Sequence, residues 1–151
     1  MKILVTGGTG LAGSHSIRDL LAAGHEVRAL VRSESKLARV FPSSPKGLSS
    51  AVGDIADRAS VERALEGCDA LLHAAAVVSM DNASPEALIE ANLGGVQKVL
   101  GAALDAGVKR IVHVSTLSAL FHVGPSGQAE PITPDTEPHE SEHAYGRSKA
   151  M

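Results

Sequence analysis

Thr6-Gly7-Gly8-Thr9-Gly10-Leu11-Ala12-Gly13 follows a short apolar run, Lys2 to Thr6, and opens a segment with helical spacing. A glycine triplet alone is a weak signal, but one set between a strand and a helix at the start of a βαβ unit is a strong one. Gly7 permits the tight turn, Gly10 lets backbone approach a pyrophosphate with no Cβ in the way, and Gly13 allows close helix–strand packing. The N–H groups of the first helical turn then face the phosphates. Thr9 and Leu11 lie between the glycines and count with them as candidate cofactor-binding positions.

Outward from this turn, short apolar runs alternate with longer helical patterns, the mark of βαβ units and a parallel sheet. The expected strands are Lys2 to Thr6, Glu26 to Val31, Leu48 to Val52, Ala70 to Ala76 and Arg110 to Val114. Between them the spacing predicts helices over Ala12 to Ala23, Ser35 to Val40 and Arg58 to Glu66, the first stopped by Gly24. Ser84-Pro85-Glu86 supplies an N-cap, a first-turn proline and a carboxylate at the positive helix end, so a long helix is expected from there to Gly107. Its Gly94-Gly95 pair lowers helix propensity and points to close packing against a neighbour. Ser118 to Glu142 is rich in Pro, Gly, Ser, His and acids without periodicity, a connection long enough to cover a substrate. A last helix begins near His143.

Composition narrows the class. The 151 residues, 44% of them apolar, suffice for one substantial core, so a single α/β domain over 1–151 is expected. With 2% aromatic residues that core rests on Val, Leu, Ile and Ala, as buried parallel strands do. The formal charge of -3 and the scattered 14 Lys and Arg argue against a nucleic-acid partner. One cysteine, Cys68, rules out an internal disulfide and a Cys-rich metal framework, and reads as a small buried apolar side chain. No apolar stretch is long enough for a signal peptide or a membrane span, so a cytoplasmic protein is expected.

After the second strand, a dinucleotide fold sets either an acid on a free ribose 2′-hydroxyl or a cation facing a 2′-phosphate. Here the strand ends in Val31-Arg32-Ser33, and the permanently charged, planar fork of Arg32 favours NADP over NAD, with Glu34 close by. Asp54, with Ile55 beside it, follows the third strand and is placed to accept from an adenine amino group or to close a turn. Both count as candidate cofactor-binding positions. Ala74, Ala75 and Ala76 after His73 offer the small side chains needed where backbone lies against a cofactor, and equally suit strand packing.

Tyr145-Gly146-Arg147-Ser148-Lys149 sets a phenol and an ammonium one helical turn apart on one face. A cation stabilises a nearby phenolate, which makes such a pair a usable acid/base near neutral pH. Ser115-Thr116 ends the preceding strand, where a hydroxyl can hold a substrate oxygen beside the phenol or simply cap the strand end.

Taken in order, these pieces resemble an extended short-chain dehydrogenase/reductase. They comprise the glycine turn, Gly53-Asp54-Ile55, the alanine run, Asn92-Leu93-Gly94-Gly95, Lys109 to Thr116 and the Tyr145–Lys149 segment, and they span the whole chain. The resemblance implies a Rossmann-type doubly wound sheet, Tyr145 as proton donor or acceptor, and Lys149 as its helper and a ligand of the nicotinamide ribose. It also implies Thr116, with Ser115 as second choice, as the substrate-orienting hydroxyl. The wording is similar to the dihydroflavonol reductase, 3β-hydroxysteroid dehydrogenase and sugar-nucleotide epimerase groups. Two departures stand out: His73 replaces the usual Asn of the fourth-strand motif, and Ala119-Leu120-Phe121 replaces the Val-Tyr-Gly of many sugar-nucleotide enzymes. The second favours reduction of an apolar or aromatic carbonyl. The expected function is therefore an NADP(H)-dependent oxidoreductase acting on a small-molecule carbonyl or alcohol, NAD being the other cofactor allowed. A sugar-nucleotide epimerase or dehydratase with tightly held cofactor, or a dinucleotide sensor without turnover, are the alternatives. Family members continue for at least as many residues again, so 1–151 is expected to be part of a longer enzyme lacking its substrate domain. By the same analogy the helices from Ser84 and His143 would form a homodimer contact.

Overall fold

The computed structural model describes residues 1–78, 84–121, 123, 128–139, 141 and 143–151. They fall into two compact units, Met1–Ala76 with Gly95–Val114, and Val77–Gly94 with Ser115–Met151.

In the first unit the alternation of apolar runs becomes five parallel strands: β1 (Lys2–Thr6), β2 (Glu26–Val31), β3 (Leu48–Val52), β4 (Ala70–His73) and β5 (Arg110–His113), in the order β3-β2-β1-β4-β5. β1 pairs with β2 through Ile3↔Val27 and with β4 through Ile3↔Ala70. The chain runs outward from β1 in one direction and then returns past it to build the other half of the sheet. That reversal of order places a crevice at the carboxyl ends of β1 and β4, where ligands of open α/β sheets bind. The helices between the strands are α1 (Leu11–Ala22), α2 (Glu34–Val40) and α3 (Arg58–Leu65), and the C-terminal half of α4 (Pro85–Asp105) also belongs to this unit.

Successive side chains of a strand point to opposite faces, and the core divides accordingly. Ile3 and Val5 join Ile17 of α1 and Leu37 of α2 in one cluster, while Leu4 joins Val61 of α3 and Val99 of α4 in the other. Both faces of β1 are thus buried, as the doubly wound Rossmann-type arrangement requires. Cys68 is half-buried against the second cluster, its thiol 3.5 Å from the Ala64 carbonyl, and burial pushes that thiol's pKa up.

Several boundaries depart from the sequence reading. β4 stops at His73 rather than Ala76: Ala74 N–H still donates to the carbonyl of Thr6, the β1 partner of His73, but Ala75 N–H leaves the ladder for the Thr6 hydroxyl. β5 ends at His113, one residue early, with Val114 N–H donating to the His73 carbonyl. Of the glycine pair in α4, only Gly95 serves close packing: a Cβ there would sit 3.0 Å from Ile55 Cδ1, whereas one at Gly94 would meet open space.

The second unit contains the N-terminal half of α4, a 3₁₀ turn at Leu117–Ala119 and α5 (Ala144–Ala150). Ser84 caps α4 as expected, its hydroxyl accepting from Ala87 N–H at 3.1 Å. Within the long connection, Val123 and Ala129 form an isolated antiparallel bridge, and His139 N–H donates to the Ala119 carbonyl at 2.9 Å. Residues 122, 124–127, 140 and 142 of that connection lie outside the described residues. No helix among the described residues is long and apolar enough to cross a membrane.

Two left-handed glycines separate conformational strain from steric exclusion. Gly24 has φ +80° and open space where a Cβ would be; Gly7 has φ +74° and backbone atoms of Ala74 and Ala75 within 2.6–2.7 Å of that point. Gly24→Ala is expected to cost about 1–2 kcal/mol from strain alone, and Gly7→Ala at least about 3 kcal/mol, as measured by urea unfolding. Equal losses would contradict the packing described at Gly7.

Candidate functional site

The glycine turn is built by backbone meeting backbone. Gly10 N–H donates to the Gly7 carbonyl at 2.9 Å and closes the turn. A Cβ on Gly13 would collide with the Gly7 carbonyl and the Gly8 Cα, so this third glycine seats α1 on the turn itself rather than on a strand. Gly10 is the N-cap of α1 in extended conformation; no side chain caps the helix and no acid stands in its first turn. Thr9, Gly10 and Leu11 are exposed, Leu11 at 82%. Unsatisfied N–H groups at an open, positively polarised helix end suit an anion. At Gly10 a Cβ would meet only the Gly7 carbonyl, at 3.3 Å, and would otherwise point away from the fold.

The alanine run lies alongside. Ala74 and Ala75 touch Gly7, and the loop is fastened by Thr6, a fully buried residue whose hydroxyl accepts from Ala75 N–H at 3.2 Å and lies 2.6 Å from His73 Nδ1. The His73 ring, also fully buried, stacks on His113 with centroids 5.1 Å apart. His73, noted in the sequence only as a departure, therefore holds the loop that carries Ala74, Ala75 and Ala76.

Arg32 follows β2 directly and is exposed, making no ion pair with the described residues. The neighbouring carboxylate does not compete for it: Glu34 accepts from the Ser50 hydroxyl at 2.6 Å. A groove of about 330 Å³ beside the turn is lined by Thr9, Lys36, Arg39 and Val40. The sequence reading missed these two cations, although Lys36 and Arg39 stand three apart on a short helix just after Arg32. Asp54 closes a turn, its Oδ1 accepting from Ala56 N–H at 2.9 Å. Ile55 places its side chain in the core against Gly95.

In the second unit, α5 carries Tyr145 and Lys149 one turn apart, both half-buried. Burial lowers the pKa of the Lys149 ammonium. Of the two candidate hydroxyls, Ser115 is turned to the Lys149 carbonyl, 3.5 Å away, whereas Thr116 caps the 3₁₀ turn by accepting from Ser118 N–H and lies 3.1 Å from the Ser118 hydroxyl. An accepting hydroxyl still has its proton to donate, so Thr116 can cap the turn and hold a carbonyl oxygen at once. Asn92 is 3% exposed and clamps Val77, accepting from its N–H at 2.7 Å and donating to its carbonyl at 3.1 Å. The motif containing Asn92 is visible in the sequence; its partner, fifteen residues upstream, is not.

Comparison with known proteins agrees with this geometry. The model of the NAD dependent epimerase/dehydratase family matches residues 3–151. Sterol demethylase protein B of Methylococcus capsulatus is 36% identical over 100% of this chain and 44% of its own length. A 4-hydroxy-2-methyl-3-oxo-4-farnesyl-3,4-dihydroquinoline-1-oxide ketoreductase of Stigmatella aurantiaca is 38% identical over 89% of this chain and 39% of its own. The crystal structure of Thermus thermophilus UDP-glucose 4-epimerase in complex with NAD superposes with a TM-score of 0.80 at 33% identity, covering 99% of this chain and 48% of that one. The chain thus spans less than half the length of these relatives. With a parallel sheet wound outward from β1, a glycine turn open at the N-terminus of α1, and a family match running from residue 3 to the end, the chain belongs to the NAD dependent epimerase/dehydratase family of extended short-chain dehydrogenases/reductases.

Proposed function

We propose that this chain is the cofactor-binding portion of an NADP(H)-dependent oxidoreductase acting on a small-molecule carbonyl or the corresponding alcohol. The observation that carries the reading is α5, where Tyr145 and the desolvated Lys149 stand one turn apart in the unit that also presents the Thr116 hydroxyl. The nicotinamide, when bound, supplies or accepts the hydride. Thr116 orients the substrate oxygen, and the Tyr145 phenol gives a proton to it in reduction or takes one in oxidation. Lys149 stabilises the phenolate and binds the nicotinamide ribose; its partial desolvation strengthens its field at an adjacent anion.

For the cofactor, the residues of the glycine turn fit a pyrophosphate: the N–H groups of an uncapped helix end are exposed there and no acid opposes them. Ala74, Ala75 and Ala76 keep the adjoining wall low. Arg32, with Lys36 and Arg39 beside Thr9, favours a 2′-phosphate, and Glu34 is drawn away onto Ser50. Asp54 and Ile55 would flank the adenine through backbone and the remaining carboxylate oxygen.

A second reading, a sugar-nucleotide epimerase or dehydratase, is favoured by the family model and by the superposed epimerase. It would use the same residues but keep its dinucleotide through turnover, so release of bound dinucleotide on denaturing the purified protein would select it. The exposed Phe121 where many such enzymes carry glycine supports the apolar-carbonyl reading instead.

Three outcomes test the proposal. NADPH should bind more tightly than NADH, and Arg32→Ala should shrink that preference about tenfold or more, since one charge-assisted contact is worth roughly 1.5–3 kcal/mol; equal dissociation constants for the unmutated protein would exclude the assignment of Arg32. Gly10→Val should abolish dinucleotide binding while leaving a folded protein with an unchanged circular dichroism spectrum, because its side chain points away from the core; normal binding would mean the turn does not hold the pyrophosphate. In the full-length enzyme, Tyr145→Phe should leave cofactor affinity nearly unchanged and lower turnover by a factor on the order of 10² to 10⁴. A rate within a few-fold of the parent would place the proton donor elsewhere.

A further inference from the structure

Ser148 lies in the Tyr145–Lys149 segment, but the proposed chemistry has no use for it. It is nevertheless only 3% exposed, and its hydroxyl is the centre of a buried polar chain. The Ser148 hydroxyl donates to the Tyr145 carbonyl at 2.8 Å and accepts from Asn92 Nδ2 at 2.9 Å. Asn92 in turn holds both the N–H and the carbonyl of Val77, the residue immediately after the alanine run. A serine inside a helix commonly donates to a carbonyl one turn back; here the same hydroxyl is also gripped from a second helix.

The donor and acceptor count closes. Asn92 uses its carbonyl oxygen on Val77 N–H and its amide group on Val77 and Ser148, while Ser148 uses one lone pair and its only proton. A buried network of this kind with every member satisfied has one low-energy arrangement, and removing a member strands a buried polar group. Because the last link ends on the backbone of Tyr145, the network fixes the helical turn on which the phenol and Lys149 stand.

We propose that Ser148 is a positioning residue of the candidate active site: with Asn92 it latches the Tyr145 turn of α5 to α4 and to the segment leaving the alanine run, and so holds the phenol in place. The consequence for catalysis rests on the reading of Tyr145 and Lys149 as the proton-transfer pair. The latch itself does not.

Residues 1–151 contain one tyrosine and no tryptophan, so the tyrosine fluorescence of this 151-residue chain reports on Tyr145 alone and needs no substrate. Ser148→Ala is expected to raise the acrylamide quenching constant of that fluorescence at least about twofold in the folded protein, because the Asn92 N–H is left without its acceptor. Asn92→Ala should do the same, and the double variant should open Tyr145 no further than either single one, as expected for residues acting through one network. Should Ser148→Ala not fold, Ser148→Cys keeps the volume while replacing the hydroxyl by a weak donor and acceptor, and should move quenching in the same direction. Ser148→Thr, which retains the hydroxyl, should restore the parental value. Ser60→Ala serves as the control: it removes a buried hydroxyl with three hydrogen bonds elsewhere, so it should lower the melting temperature without changing Tyr145 quenching. Parental quenching in Ser148→Ala or Ser148→Cys, additive effects in the double variant, or equal effects from Ser60→Ala would each overturn the latch. If Tyr145→Phe retained turnover in the full-length enzyme, the proton-transfer reading would fail while the quenching results still decided the latch.

Discussion

The close approach of two backbones at the carboxyl ends of β1 and β4 is the constraint on which the cofactor end of this protein depends. Gly7 lies against Ala74 and Ala75 at distances that leave no volume for a Cβ, and Gly13 lies against Gly7 and Gly8. This contact draws the start of α1 close to the sheet edge. It also leaves the helix N-terminus facing outward without a side-chain cap. A larger residue at Gly7 or Gly13 would push the layers apart; a larger residue at Gly10 would instead occupy space outside the fold, which is why the three glycines are not interchangeable.

Polar groups buried by that approach must find partners, and the structure supplies them locally. Thr6 ends β1 fully buried, yet its carbonyl takes Ala74 N–H and its hydroxyl takes Ala75 N–H and meets His73. The loop that leaves β4 is thereby tied to the strand that enters the glycine turn. The stacking of His73 on His113 extends the arrangement to β5. The imidazole of His73 fits this place because it provides a ring nitrogen to Thr6 and a flat face to His113.

The second unit holds its last helix in a related way. The described part of α5 carries no side-chain cap at its N-terminus. Buried tertiary contacts take over: Ser118 and Ser141 close around Gly146, His139 holds Ala119, and Asn92 holds Ser148. The same burial that fixes the helix desolvates Lys149.

Taken alone, the amino-acid sequence determined the elements, because period-2 and period-3.6 patterns and capping signals are local properties. All five strands and their helices lie within a few residues of where the patterns put them, and the glycine turn between β1 and α1 is legible from its spacing. The misplacements are informative. β4 reads as running to Ala76 because alanines continue the apolar pattern, yet it stops where the hydroxyl of Thr6, 67 residues away from His73 in sequence, takes the Ala75 N–H. Glu34 stands close to Arg32 in sequence, and only the structure shows that Ser50 holds it. Asn92 and Ser148, 56 residues apart, show nothing in sequence that joins them. Which buried donor meets which acceptor is a matter of long-range satisfaction, and only the tertiary structure, by bringing distant segments within hydrogen-bonding distance and excluding water from them, decided it.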